Sequence, residues 1–156
     1  MSYRVSGLDP APFRCLFGQT DAELAARGVR RVIADANPGY PDRIEVRDAA
    51  PGQRLLLLNY LHQPLATPYR ASHAIFVREG AEQVCDLVDE IPEALRRRQI
   101  SLRAFDGEGM MLDAGLAEGD GIEGLALRLL ADPAVSYLHA HYAMRGCYAA
   151  RIDRAG

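Results

Sequence analysis

Only three cysteines, Cys15, Cys85 and Cys147, occur in the 156 residues, and they are scattered, odd in number and without a Cys-x-x-Cys spacing. A disulfide framework is therefore not encoded, and all three read as free thiols in a reducing compartment. Long apolar runs are missing as well. Stretches such as Leu55 to Leu58 fall far short of the roughly 20 residues a membrane-spanning helix needs, so membrane partners are not expected. The N-terminal MSYRVSGLDPAPFRCLF has neither a basic region leading into an apolar core nor a targeting motif, which points to a cytoplasmic location. There is no excess of positive charge either. Lys and Arg number 18 against 21 Asp and Glu, for a net charge of -3, so the electrostatic footprint of nucleic-acid binding is absent. No P-loop, Gly-x-Gly-x-x-Gly after a strand, Gly-x-Ser-x-Gly or His-Glu-x-x-His occurs, which removes the common nucleotide, hydrolase and metalloprotease signatures.

What is present is an ordinary globular composition, 49% hydrophobic and 25% charged, with no repeat or linker, and it predicts a single domain over 1–156. Helix signals are few. Thr20 or Asp21 caps a short helix running to Arg27 and ended by Gly28. Asp120 caps a longer one to Ala131 with an apolar stripe of Ile122, Leu125, Leu129 and Leu130. A third helical turn fits Pro92 to Arg98, where Arg96, Arg97 and Arg98 complement the negative end of the helix dipole. Strand signals dominate, over 29–34, 43–47, 54–61, 69–78, 100–105, 110–114, 135–142 and 147–152. The expected fold class is α+β, mainly antiparallel sheet with two or three helices, and the order from residue 69 onward is the ferredoxin-like one with an extra strand appended.

The segment YLHAHYAMRGCYAARI holds the densest chemistry. A three-residue loop of Met144, Arg145 and Gly146, with Gly146 in the left-handed position, pairs Ala143 with Cys147, His141 with Ala149 and His139 with Arg151. Alternation then places Leu138, Ala140, Tyr142, Tyr148, Ala150 and Ile152 on one face and His139, His141, Cys147 and Arg151 on the other. A four-residue loop would shift the pairing by one and move Cys147 to the face opposite the histidines. Three uses of the polar face follow. His-x-His can chelate a metal if Cys147 or another histidine joins it, but no complete set of ligands is visible, so at most substoichiometric metal is expected. Cys147 can be a nucleophile activated by His141, with His139, His141 and Cys147 as the catalytic groups. Or the face is simply the solvated side of an antiparallel sheet.

Elsewhere, His73 is in phase with Ala71, Ile75 and Val77 and should point inward, while His62 stands at a strand end before Gln63-Pro64, where a side chain can reach a pocket. Asn59, within an apolar strand, needs hydrogen-bond partners if buried. Arg70, Arg78, Arg103 and Arg145 lie in or beside strands. Together with Arg151 and His73, the arginines Arg70, Arg103 and Arg145 are candidate contacts to a small anionic molecule such as a carboxylate or phosphate; otherwise they pair with Glu79, Asp106 or Asp113. Cys15, beside Phe13, Leu16 and Phe17, should be shielded, and Cys85 exposed. No cofactor is specified.

Three stretches, LLNYLHQPLATPYRASHAIFVRE, LRAFDGEGMMLDA and HAHYAMRGCYAARID, together resemble the bacterial family catalogued as domain of unknown function 1203. The resemblance runs over nearly the whole chain and implies a single-domain bacterial cytosolic protein, without transferring a mechanism. The functional expectation is a small-molecule site for an anionic ligand, enzymatic if Cys147 is reactive, on the polar face of the C-terminal hairpin. The alternative is a non-catalytic binding or self-association module, with a homo-oligomer as its form.

Overall fold

The computed structural model describes residues 1–156 and resolves the strand-rich pattern into two sheets. In chain order the strands are β1 (Ser2–Ser6), β2 (Arg30–Ile33), β3 (Pro41–Asp42), β4 (Arg47–Asp48), β5 (Arg54–Gln63), β6 (Ala71–Arg78), β7 (Asp86–Val88), β8 (Gln99–Phe105), β9 (Met111–Glu118), β10 (Tyr137–Tyr142) and β11 (Tyr148–Ala155). The helices are α1 (Asp21–Ala25), α2 (Glu93–Arg96) and α3 (Gly121–Leu130), joined by a 3-10 turn at Ala11–Leu16 that carries no sequence signal beyond Pro10 and Pro12. No helix is long and apolar enough to cross a membrane.

One sheet has the order β7-β1-β11-β10-β8-β9, the other β2-β5-β6-β3-β4, and both are mostly antiparallel. The α+β expectation is met, but the ferredoxin-like order is not realised. The strand meant to open that unit, β6, hydrogen-bonds to β5 in the second sheet instead. Its apolar residues Ile75 and Val77 meet Leu56 and Leu58 there and build a second core, whereas α3 covers the first sheet through Ile122, Ala126, Leu129 and Leu130 against Leu102, Leu138 and Ala140.

The expected strand over 43–47 is instead a turn between two short strands. Asp42 explains it: its carboxylate accepts the Glu45 and Arg78 backbone N–H groups, both at 2.7 Å, so the chain folds back where a ladder would continue. Gly7, immediately after β1, packs so closely on this turn that a Cβ there would stand 1.9 Å from the Ile44 carbonyl oxygen. Leu8 and Cys85 donate their backbone N–H groups to the Arg43 and Ile44 carbonyls at 2.8 Å each, which pins the turn from two sides. The conformation of Arg43 is therefore set by three separate segments.

All six residues of β10 are buried. One of its faces lies against α3 and the other against the second sheet, so the hairpin's polar face is not the solvated side of a sheet.

Candidate functional site

The C-terminal hairpin closes with a four-residue loop. Tyr142 donates its N–H to the Cys147 carbonyl and Gly146 donates to that of Tyr142, with Gly146 at φ 79 in the left-handed region as its sequence position suggests. His141 then pairs with Tyr148, and a bulge restores the expected pairing of Ala140 with Ala150 and His139 with Arg151. The three-residue register is thus corrected near the tip and holds at the base. Two side chains change places: Tyr148 joins the histidines, and Cys147 moves to the side of Tyr142. His141 is not the partner of the thiol. A loop that ends at Gly146 is compatible with either length, so the sequence alone could not fix the difference.

Between the sheets lies an aromatic and imidazole cluster. His139 and His141 are 5% and 1% exposed. His62, in phase with Leu56, Leu58 and Tyr60 on β5, reaches them across the gap, with ring centroids 4.9 Å from His141 and 6.2 Å from His139. The Tyr148 ring stacks on His62 at 5.7 Å and stands edge-on to both others. Burial depresses all three imidazoles, His62 to about 4 and His139 and His141 to about 3, with Arg103 adding to the effect on each. His141 Nδ1 lies 3.0 Å from the Gly146 carbonyl, which can only accept, so the proton is on Nδ1 and Nε2 is a bare acceptor. Buried and without a hydrogen-bond partner are His62 Nδ1, His139 Nδ1 and His141 Nε2. His73 is half-buried at the margin, its Nδ1 3.0 Å from the Ala74 carbonyl.

Arg103 is half-buried on the same side and has no carboxylate; its Nε donates to Ser101 Oγ at 3.4 Å, and burial lowers its basicity. Arg151 is exposed and forked onto Asp153, above the Tyr137 ring. Arg70 donates to the Pro64 carbonyl at the surface, away from the other candidates. Asn59 is exposed and needs no partner.

On the other side of the hairpin, Cys147 lines a cavity of about 670 Å³ with Tyr40, Arg43, Phe76, Arg98, Tyr142 and Arg145 among its walls. Arg43 is 1% exposed, and its guanidinium donates to the Tyr148 carbonyl at 2.8 Å, the Pro41 carbonyl at 2.5 Å and Cys147 Sγ at 3.1 Å. No carboxylate pairs with it. Arg98 is neutralised by Asp48 at 2.6 Å; burial works against the Asp48 charge, yet Arg98 and Arg97 hold that carboxyl below its usual range. The Arg43 and Arg98 guanidiniums sit 4.9 and 5.0 Å from the Tyr142 ring centre, while burial pushes the Tyr142 hydroxyl up to about 12 and leaves it without a partner. Arg145 is exposed at the rim. A wider groove of about 790 Å³ next to it is lined by Glu45, Asp48, Glu93, Arg78 and Arg97. Those charges pair among themselves, Arg78 with Glu45 at 3.1 Å and Arg97 with Glu93 at 3.4 Å, so that groove presents no unmatched sign.

The proposed reactive and ligand-contact residues thus do not share one site: His139, His141 and Arg103 lie between the sheets with His73 at the margin, Cys147 and Arg145 line the cavity at the hairpin tip, and Arg70 and Arg151 are at the surface. Sequence reasoning missed Arg43, Arg98 and Tyr142. Arg43 was hidden by the strand-like run around it, and Tyr142 by its place in the apolar alternation. The thiol expectations also reverse. Cys15 is exposed because the 3-10 turn buries Phe13 and Leu16 and turns Cys15 outward. Cys85 is buried in the first core, which pushes its thiol up to about 11.

A family model described as a protein of unknown function (DUF1203) matches residues 39–154. No curated protein and no solved structure matches.

Proposed function

We propose, for a chain that belongs to the DUF1203 family of proteins of unknown function, that it binds a small anionic molecule in the cavity at the tip of the C-terminal hairpin. One observation carries this: Arg43 is a fully buried guanidinium without a carboxylate, facing a cavity where Arg98 and Arg97 are already paired with Asp48 and Glu93, and Arg145 at the rim, like Arg43, has no acidic partner. A buried charge normally has a counter-charge, because its desolvation is otherwise uncompensated. A carboxylate or phosphate group seated against Arg43 and Arg145 supplies one, with Tyr142 Oη as an additional donor and the Tyr40 and Phe76 rings as the apolar wall. Cys147 is the group placed to react. Its sulfur already accepts a hydrogen bond from the Arg43 guanidinium, which holds it at the cavity wall beside the proposed anion.

The test uses reagents that differ only in charge. Iodoacetate is an anion, iodoacetamide is neutral, and both alkylate thiols. At Cys147 the ratio of iodoacetate to iodoacetamide rates should exceed that at Cys15 by about tenfold, as expected for a cleft that concentrates anions. Arg145→Ala, at an exposed position, should cut that excess, and inorganic phosphate should protect Cys147 and raise the melting temperature. Equal charge preference at Cys147 and Cys15, or phosphate effects unchanged by Arg145→Ala, would overturn the assignment.

A further inference from the structure

Apart from that cavity, we infer that His62, His139 and His141 form a binding site for one divalent transition-metal ion of the zinc class. Three separate observations converge on it. First, three buried imidazole nitrogens, one from each ring, have no hydrogen-bond partner, and buried polar atoms without partners are rare enough in folded proteins to demand a missing one. Second, His141 has the arrangement typical of a metal ligand: one ring nitrogen donates to a backbone carbonyl, which fixes the tautomer and leaves the other nitrogen's lone pair free. Third, the spacing is right. Ring centroids 4.9, 6.2 and 6.3 Å apart lie on a circle of about 3.4 Å radius, and an imidazole centroid stands about 3.2 Å from a zinc ion bonded at about 2.1 Å.

As placed, no three His, Cys, Asp or Glu side chains already converge on a coordination centre. Binding therefore requires the rings to turn about their side-chain bonds, with only a few tenths of an ångström of inward movement. His62 is the ring with most freedom, being the least buried of the three. The donor set chooses the metal class. Three neutral imidazoles without thiolate or carboxylate suit zinc, cobalt, nickel or copper better than calcium or magnesium. They leave one position open for a water or an added ligand, and the ion's uncompensated double charge favours an anion there. Arg103, half-buried on the same side with no carboxylate of its own, is placed to hold such an anion.

The experiment is cobalt(II) titration of the full chain after removal of adventitious metal with a chelator, followed by the visible ligand-field bands of the bound ion, with zinc competition and elemental analysis. About one equivalent per chain is expected, with His62→Gln weakening binding by at least about tenfold, since even changes to outer-shell partners cost 10- to 100-fold. Binding by His73→Gln should match wild type. His62 is only partly buried, so its variant remains informative if His139→Gln or His141→Gln fails to fold. Less than about a tenth of an equivalent of cobalt, no effect of His62→Gln, or equal loss in His73→Gln would each overturn the site, the last because it would mark a surface chelate.

Discussion

Acidifying the chelator-treated protein should destabilise it through His139 and His141, by an amount that can be worked out in advance. In the unfolded chain each imidazole titrates near 6.5; in the folded protein burial holds both near 3. A depressed histidine costs nothing at pH above the unfolded value. As pH falls below it, the unfolded state takes up protons that the folded state refuses, so stability declines until the folded value is reached. From about pH 7.5 to 5 the loss is about 2 kcal/mol per imidazole, or about 4 kcal/mol for the pair, a large part of the 5 to 15 kcal/mol typical of a domain. Charged neighbours on the surrounding strands, Arg103 on β8 and Arg151 on β11, with His62 on β5 and His73 on β6, act in the same direction. Asp42, raised by burial, acts in the opposite one. Comparing variants cancels that contribution. In urea titrations at a series of pH values the midpoint should fall by roughly 2 M across this range, taking a slope of about 2 kcal/mol per M. His139→Gln and His141→Gln should each flatten the dependence of stability on pH by about 1.4 kcal/mol per unit. Identical pH slopes in wild type and both variants would show that these rings are not held neutral by burial, and the reasoning would fail.

Gly7→Ala should destabilise by more than about 3 kcal/mol, because a Cβ 1.9 Å from the Ile44 carbonyl has only backbone to displace; a urea midpoint near that of wild type would contradict this. Tyr142→Phe removes a buried hydroxyl that has no partner, so calorimetry should find stability unchanged or raised by up to about 1 kcal/mol, while phosphate protection of Cys147 weakens. Mass-spectrometric mapping with iodoacetamide at neutral pH should label Cys15 readily and Cys85 barely at all, since Cys85 is buried with its thiol near 11. Rapid labelling of Cys85 in the folded protein would refute its placement.

Elements whose signals are local were legible in the sequence. Thr20 and Glu23 form the reciprocal capping box that starts α1, and the alternation in β6 gives its core face directly through Ile75 and Val77. Strands β1 and β7 were not legible, because five and three residues become strands only by pairing with distant partners. The same holds for the turn over 43–46, whose cause is a side chain, Asp42, caught by a backbone group 36 residues away at Arg78. At the candidate site the chemistry-bearing residues were visible but their grouping was not. His62 joins His139 and His141 only because two sheets stack, and Arg43 meets Cys147 across 104 positions of sequence.

The extra residue in β11 has a genetic consequence. Strand alternation is a parity: adding or removing one residue reverses which side every later residue takes, up to the next irregularity. The bulge confines that reversal to the tip of the hairpin, between Ala140 and the loop. Ala149 is itself the unpaired residue, so deleting it, a loss of one codon, would leave a regular ladder in which Tyr148 still faces His141 and Cys147 still stands beside Tyr142. The side on which each group stands is fixed by the pairs that flank the bulge, and the extra residue is a spacer that lets a four-residue loop coexist with the register of the strand base.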